Sequence, residues 1–385
     1  YVVSGGILID IRFRGRPLTN TALLAFGAVL ANIVGTTGAS VLLIRPFMRM
    51  NHGRLRPIHV VFFIFIVSIC GGCLTPIGDP PLYLGFLKGV PFFWTLSQLW
   101  PMWLAVNGLL LGLFAIVDSR IPPDPSRVLP GHTEAIRYEH KPLITGWSAV
   151  AFLVALVACV FVDPLIKQHA PGSGLVGLPV GATLQIILAV AAFVTTKPSI
   201  RNANQFTFGP VKEVGFLFIG IFLTMAPALG YLRANAMSFG LESPTQFYFG
   251  TGVLSACLDN APTYLSFLQV AFGVLHLPLS TEGIAQFIAN TFDIEHTDTG
   301  EVAHFNGLRL LEGISLGAVF FGAMTYIGNG PNFMVKSIVE AAARSDSSTP
   351  GGGLGVRMPS FFGYLLLACL ILAPVLIINW LIFIR

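Results

Sequence analysis

The chain contains the stretch TPIGDPP at residues 75–81 and a counterpart, TYIGNGP, at residues 325–331. The two stretches lie 250 positions apart and share Thr, Ile, Gly and the final Pro. Each follows a long apolar run, at residues 60–74 and 314–324. Gly, Pro and a carboxylate or amide at the end of an apolar helix favour unwinding, so the pattern predicts two broken helices. Such a pair in two halves of one chain is typical of a transporter built from internal repeats, although two ordinary surface loops are the alternative.

The composition is that of a membrane protein. Of the 385 residues, 54% are hydrophobic and 10% are charged, and the mean hydropathy is +0.76. Soluble domains carry about 25% charged residues, and a helix needs about 20 apolar residues to cross a bilayer. Apolar runs that reach or approach this length occupy residues 60–74, 104–117, 144–162, 180–195, 214–229 and 361–384. The predicted fold class is therefore an all-α, multi-pass (polytopic) membrane protein embedded in a lipid bilayer.

The sequence excludes several classes of function. The net charge of +4 is scattered among loops, where it reports membrane orientation rather than a nucleic-acid partner. The chain has no GxSxG, HExxH, P-loop or soluble dinucleotide-binding motif, so we expect neither an enzyme nor a nucleotide-driven pump. All five Cys residues lie in apolar runs, and we interpret the CxxC spacing of Cys70 and Cys73 as helix packing.

Basic residues around an early apolar segment predict a re-entrant hairpin. Residues 18–44 are preceded by three Arg and followed by four Arg. A single long helix would place two basic loops on opposite faces of the membrane, against the positive-inside rule, so a hairpin is favoured. Its predicted tip is GTTGAS at residues 35–40, and the second half has a counterpart at residues 246–275 with the tip DNAPT at residues 259–263. The predicted architecture is an inverted repeat with two re-entrant hairpins and two broken helices.

These elements divide the chain into five predicted parts. They are a first membrane repeat (1–117), a polar, Pro-rich linker (118–142), scaffold helices (143–200), a second membrane repeat (201–345), and a terminal loop with the last membrane helix (346–385). The second repeat carries an acidic insertion at residues 280–306 that lacks Lys and Arg and could lie outside the membrane. The apolar start at Tyr1 is too short to span, so we expect earlier helices to precede it.

Ionisable groups inside apolar runs are costly, which makes each of them a functional candidate. Asp79 in the first break and Asp259 at the second hairpin tip can each hold Na+ or a proton, and competition for one carboxylate is the simplest basis for antiport. We predict both as Na+ ligands, with a helix cap as the alternative for each. Neutral oxygen donors complete the predicted ion and substrate site: Thr36, Thr37, Ser40, Thr75, Asn260, Thr263, Thr325, Asn329 and Asn332.

Two further observations concern charge near these motifs. Glu312 precedes the second break and could relay protons, although the helix dipole also favours a carboxylate near a helix start. No Lys or Arg lies within the four break motifs, which argues against a large polyanion held by protein cations.

The four motifs together resemble the ion transporter (ArsB/NhaD-like) superfamily. They read NIVGTTGAS at residues 32–40, GGCLTPIGDPP at 71–81, DNAPT at 259–263 and TYIGNGPN at 325–332. Within this superfamily the chain is similar, over nearly its whole length, to bacterial proteins labelled sodium:proton antiporter (NhaD-like) or citrate transporter. The antiporter branch carries Asp-Asn-Ala-Pro at the second tip, as this chain does, whereas the Ser-Asn-Thr triplets of the dicarboxylate branch are absent. The resemblance implies an inner-membrane homodimer that moves by an elevator-like mechanism.

Three functions are compatible with these features. The favoured one is Na+ (or Li+)/H+ antiport by alternating access, with Asp79 and Asp259 as the ion carriers. The alternative is sodium-coupled symport of citrate or a dicarboxylate, and a third is a passive channel or the membrane subunit of a pump. No cofactor is expected apart from Na+ and H+ as transported or coupling ions, and no nucleic acid is expected as a partner.

Overall fold

Helices make up most of the protein. The computed structural model describes residues 2–10, 15–122, 143–169, 178–204, 206, 208–295, 302–345 and 355–385. Five helical segments there are long and apolar enough to cross a membrane: Pro17–Val34, Pro57–Leu74, Trp94–Ser119, Gly307–Met324 and Phe361–Phe383. The predicted all-α polytopic membrane fold is confirmed. The strands in this part of the chain form two antiparallel pairs, β1 (Leu8–Asp10) with β2 (Leu143–Thr145), and β3 (Thr291–Glu295) with β4 (Val302–Asn306).

The two helical segments that lead into the predicted breaks form the centre of the molecule. Buried residues make up 83% of Pro57–Leu74 and 89% of Gly307–Met324, against 28% of an 18-residue apolar window within each of Trp94–Ser119 and Phe361–Phe383. The outer segments therefore keep much of their apolar surface available to lipid, while the central ones are enclosed by protein.

The first half starts with two helices joined at one residue. Gly35 alone separates α1 (Pro17–Val34) from α2 (Thr36–Met50), and its φ of 80° is accessible to Gly at little cost. The alternative of one long helix over residues 18–44 is therefore wrong. The break is also shorter than the predicted tip, because Thr36 to Ser40 already lie in α2. Whether this helix pair is re-entrant in the bilayer stays a prediction.

The first broken helix follows directly. α3 (Pro57–Phe63) continues as a π-helix (Ile64–Ile69) and then as a 3₁₀-helix (Cys70–Leu74). Residues 75–79 are not helical, and α4 (Pro80–Lys88) and α5 (Trp94–Ser119) come next. Successive changes of winding within one buried segment are typical of functional sites.

The middle of the chain is a set of plainer helices. They are α6 (Trp147–Cys159), α7 (Val162–His169), α8 (Val180–Thr195), α9 (Pro198–Ala203) and α10 (Gly209–Ala234). The apolar run at residues 144–162 thus ends in a second helix, α7, whereas α8 matches its predicted run.

The second half repeats the pattern of the first. α11 (Pro244–Cys257) and α12 (Asn260–Val274) are separated by Leu258 and Asp259. The acidic insertion contains α13 (Thr281–Ala289) and the β3–β4 pair. α14 (Gly307–Phe321) ends in a 3₁₀-turn (Gly322–Met324), residues 325–329 are not helical, and α15 (Gly330–Ser345) and α16 (Phe361–Phe383) complete the chain.

Hydrogen bonds at the two breaks correspond closely. Thr75 Oγ1 donates to the carbonyl oxygen of Asn32, and Thr325 Oγ1 donates to that of Ala256, both over 2.6 Å. Asn32 lies three residues before Gly35, and Ala256 lies three residues before Asp259. Each Thr therefore ties a break to the end of the helix preceding the tip in its own half.

Glycine pairs make the sharp chain reversal possible at both breaks. A Cβ atom added to Gly78 would lie 2.0 Å from the carbonyl oxygen of Gly72, and one added to Gly328 would lie 2.6 Å from that of Gly322. Only a residue without a side chain fits such a close approach of two backbone segments. The two pairs are again 250 positions apart.

A buried cluster of charged and polar side chains joins the helix ends of the first half that lie away from the break. Asp118, in the last turn of α5, pairs through Oδ1 with Arg54 Nη2 and with His59 Nε2, each at 2.8 Å. Asn20 donates to Asp118 Oδ2 over 2.9 Å and exchanges two hydrogen bonds with Asn51. The sequence analysis assigned Asp118 to the linker, but the structure buries it where it joins the ends of α1, α2, α3 and α5.

Candidate functional site

Asp79 lies where both breaks and both helix pairs meet. Its side chain is 1% exposed, and Oδ1 accepts hydrogen bonds from Thr36 Oγ1 over 3.2 Å and from Asn329 Nδ2 over 2.9 Å. Oδ2 accepts one from Asn260 Nδ2 over 2.7 Å. The donors stand at the start of α2, just before α15 and at the start of α12, so four predicted site residues converge from both halves.

The local sequence explains why the Asp79 side chain points into this site. Its backbone is extended, with φ −140° and ψ 141°, as the residue before a proline prefers. Pro80 then starts α4, where the missing N–H is harmless. The Asp79 side chain makes no capping bond to α4. The helix-cap alternative for Asp79 is therefore wrong, and the carboxylate is directed at Thr36 of its own half and at Asn260 and Asn329 of the other.

The electrostatics of the site combine the Asp79 carboxylate with four helix ends. The helices α2, α4, α12 and α15 all begin at or next to Asp79 or its partners. Their positive ends favour a carboxylate. The three side chains that bond to Asp79 are neutral, however, and a buried carboxylate without a positive partner is costly. A bound cation or a proton would remove that cost.

Two amide oxygens at this site accept no hydrogen bond from any described residue. Asn260 uses Nδ2 for Asp79, and its buried Oδ1 has no partner. Asn332 donates to the carbonyl oxygens of Gly322 and Thr325, both over 2.8 Å, and its buried Oδ1 also has no partner. Leaving a buried acceptor unpaired is unfavourable. Such oxygens suit a hard cation, and unwound segments of transporter helices offer the same type of ligand.

Asp259 has the contacts of a helix cap. It is half-buried at the N-cap of α12, where Oδ1 accepts from the Ala261 N–H over 3.0 Å. Thr263 Oγ1 donates to its carbonyl oxygen over 2.9 Å. No hydrogen bond joins Asp259 to Asp79 among the described residues. Its assignment as a second Na+ ligand stays a prediction.

The remaining predicted oxygen donors shape the site without bonding to Asp79. Thr75 and Thr325 hold the breaks to the helix pairs, as described above. Ser40 Oγ donates to Ser68 Oγ in the π-helix over 2.8 Å. Thr37 is half-buried in the first turn of α2.

Three side chains that support the first break were missed by sequence reasoning. Asn32 donates to the Gly71 carbonyl over 2.7 Å and accepts from the Leu74 N–H over 2.8 Å. Trp103 Nε1 donates to the same Gly71 oxygen over 2.8 Å, and Thr95 Oγ1 donates to the Leu74 oxygen over 2.9 Å. They satisfy backbone groups released by the changes in winding. Of these three side chains, only Asn32 could have been recognised from the sequence, because it is a polar residue within an apolar run.

Comparison with known families decides the class of protein. The model of a family described as “Putative citrate transport” matches residues 1–384. The chain belongs to this family. This membership confirms the predicted superfamily. As a member of the putative citrate transport family, the chain is a multi-pass membrane transporter and not an enzyme. No match was found among curated proteins.

Proposed function

We propose that this transporter exchanges Na+ (or Li+) for H+ at Asp79 by alternating access. The observation that carries the proposal is the buried Asp79 carboxylate, which has three neutral donors around it. Two buried amide oxygens in the second half, Oδ1 of Asn260 and Oδ1 of Asn332, accept no hydrogen bond from any described residue.

Competition between the two ions follows from the groups present. In the Na+-loaded state, Asp79 supplies the charge, and Oδ1 atoms of Asn260 and Asn332 supply neutral oxygens. In the proton-loaded state, the Thr36 hydroxyl can rotate and accept a hydrogen bond from the protonated Asp79 carboxyl, because a hydroxyl both donates and accepts. One carboxylate cannot serve both cations fully, so binding of one promotes release of the other.

The origin of the partners links ion binding to movement. Thr36 belongs to the first half, whereas Asn260 and Asn329 belong to the second. A change of ion at Asp79 therefore alters contacts between the halves, and a ligand shifts a conformational equilibrium when its contacts differ between the states. The elevator-like movement, the homodimer and the bacterial inner membrane remain expectations that the resemblance implies.

A sodium jump on proteoliposomes containing an internal pH dye tests the proposal. We expect protons to move against the Na+ gradient without citrate, and the Asp79→Asn variant to lose this movement. Asp293→Asn, in the exposed β3–β4 pair, is the matched control and should behave as wild type. Unchanged exchange in Asp79→Asn would refute the assignment.

A second candidate is Na+-coupled uptake of citrate, which the family description favours. The four helix N-termini around Asp79 would attract carboxylate groups, and co-transported Na+ would balance their charge. In the same proteoliposomes, sodium-dependent entry of labelled citrate without Na+-driven proton movement would favour this candidate over antiport.

A further inference from the structure

A row of buried polar side chains leads away from the site along the second half. Glu312 on α14 is 3% exposed although its segment is strongly apolar. Ser315, three residues later, is fully buried. It lies next to the phenol of Tyr264 on α12, but no contact of its hydroxyl with a described residue has hydrogen-bond geometry. Side chains three apart on a helix are neighbours, at about 5–6 Å between Cβ atoms.

One end of this row reaches the surface. Arg309, whose side chain is 48% exposed, holds Glu312 through an Nη1–Oε2 contact of 3.1 Å. The same guanidinium donates to the carbonyl oxygen of Phe383 at the end of α16 over 2.9 Å. Glu312 is therefore buried next to a side chain that reaches the surface.

The other end of the row reaches the neighbourhood of Asp79. Tyr264 lies one turn after Asn260 on α12, and Asn260 donates to Asp79. Because helical side chains lean toward the N-terminus of their helix, the Tyr264 ring leans toward Asn260. Its hydroxyl packs against Gly85 of α4, where an added Cβ would lie 2.4 Å from Oη.

A helix-dipole explanation for Glu312 does not fit its position. Glu312 is the sixth residue of α14, and the cap of that helix is Asn306, which accepts from the Arg309 N–H over 3.1 Å. The dipole effect falls off within the first turn. Burial of this carboxylate therefore calls for another reason.

The equivalent positions on the first central segment are apolar. The positions 250 residues earlier are Phe62 and Phe65, and every residue from Val60 to Val67 is apolar and buried. The two aromatic rings pack edge to face, with centroids 6.2 Å apart. The polar side chains are thus a departure from the repeat that occurs on one side only.

We propose that Glu312 is a second proton carrier, which moves protons between the surface at Arg309 and Asp79 through the hydroxyls of Ser315 and Tyr264. This inference rests on the proposed proton exchange. A proton from water joins the Glu312 carboxylate and is passed to Ser315, which releases its own proton to Tyr264. Tyr264 releases its proton toward Asp79 as Na+ leaves, so each hydroxyl ends as it began. Protons then enter from the end at which α14 begins.

Few charged groups lie near Glu312. Arg309 is its ion-pair partner within the described chain. The titratable groups on the elements packed against α14 are Tyr248 and Cys257 on α11, Tyr264 on α12, Glu282 on α13, His304 on β4, Tyr83 and Lys88 on α4, Asp118 on α5, and Cys70 and Cys73 on the 3₁₀-helix before the first break. Glu282, His304 and Lys88 are exposed, and Asp118 is paired with Arg54 and His59.

The Glu312→Gln variant, reconstituted as the full chain, tests the relay with two readouts. We expect Na+-driven proton movement to fall on the order of 100-fold, as when a proton-transfer group is removed. Binding of radiolabelled Na+ should be unchanged, because Asp79 and its partners are intact. Ser315→Ala and Tyr264→Phe should also slow proton movement without weakening Na+ binding. Glu340→Gln on α15 is the matched control and should behave as wild type.

The Arg309→Met variant separates a relay from a structural ion pair. A relay predicts that Arg309→Met, which keeps the carboxylate, retains proton movement. If Arg309→Met and Glu312→Gln lose it equally, or if Glu312→Gln exchanges like wild type, the relay is refuted. If Glu312→Gln does not fold, the rates of Na+-driven proton movement in Ser315→Ala and Tyr264→Phe decide whether the relay exists. Failure of the proposed function looks different, since Asp79→Asn would then keep both Na+ binding and exchange.

Discussion

Asp79 and Asn329 occupy corresponding positions in the two halves, and the Asn329 amide donates to the Asp79 carboxylate over 2.9 Å. The positions that the repeat makes equivalent thus hold a carboxylate on one side and an amide on the other. Two carboxylates at this distance would repel each other, and one of them would have to be protonated. The difference between the repeats therefore leaves a single carboxylate at this pair of equivalent positions.

Exchanging Asp79 and Asn329 tests the importance of the hydrogen bond between carboxylate and amide. If this bond is what transport needs, it should not matter which half supplies the carboxylate. The double variant Asp79→Asn/Asn329→Asp should regain part of the transport that Asp79→Asn loses, because the amide–carboxylate pair is kept in reverse. Na+-driven proton movement in proteoliposomes measures this. Asn329→Asp alone should lower stability by about 1–3 kcal/mol, because it adds a buried like charge. A double variant no better than Asp79→Asn would show that the site depends on the other partners of each position.

The glycine pairs at the breaks should tolerate no side chain. We expect Gly78→Ala and Gly328→Ala each to destabilise the protein by about 1–3 kcal/mol, because the added methyl group meets a carbonyl oxygen. Gly108→Ala on α5 is the control, since nothing lies within 4 Å of the added atom. Thermal unfolding of the purified protein in detergent gives the comparison. Equal melting of all three variants would contradict the close backbone approach.

Asn32 should be essential for the shape of the first break. In Asn32→Leu the Gly71 carbonyl keeps Trp103 as a donor, but the Leu74 N–H loses its acceptor. A buried group left unpaired costs roughly 1–3 kcal/mol. We expect faster hydrogen exchange at the Leu74 amide and a lower melting temperature. Asn290→Ala, which removes an exposed amide, should change neither, and protection of Leu74 in Asn32→Leu would contradict the prediction.

The buried cluster around Asp118 should respond strongly to loss of one partner. Arg54→Met leaves a buried carboxylate with His59 and Asn20 alone, and breaking a buried pair costs about 3–5 kcal/mol. Adding Asp118→Asn removes the unpaired charge, so the double variant should recover part of the melting temperature. The exposed pair of Asp293 and His304 provides the contrast, because exposed pairs contribute little. A harmless Arg54→Met would mean that the cluster does not stabilise the fold.

The breaks could be predicted because their cause is local. Gly78 and Pro80 act on their own backbone, so TPIGDPP and its counterpart mark the positions without tertiary information. The single-residue break at Gly35 was less visible. The hydroxyl-rich residues after it look like a turn in sequence, but they start α2.

The sequence could not show which of the two aspartates is bonded to the other half of the chain, because this depends on contacts between distant segments. Asp79 and Asp259 both follow apolar runs and precede helices. In three dimensions Asn260 reaches Asp79, whereas Asp259 caps its own helix. Asp118 illustrates the same limit. A Pro-rich stretch follows it, yet its burial is decided by Arg54 and His59, about 60 positions earlier.

The solitary carboxylate between the halves also determines how voltage acts on the proposed exchange. A proton and a sodium ion each bring one positive charge to Asp79, so the loaded centre is neutral in both directions of the cycle. The membrane potential contributes about 2.3 kcal/mol per elementary charge per 100 mV, but only when net charge crosses. One-for-one exchange at Asp79 alone would therefore be electroneutral, and the concentration gradients of the two ions would then set its direction.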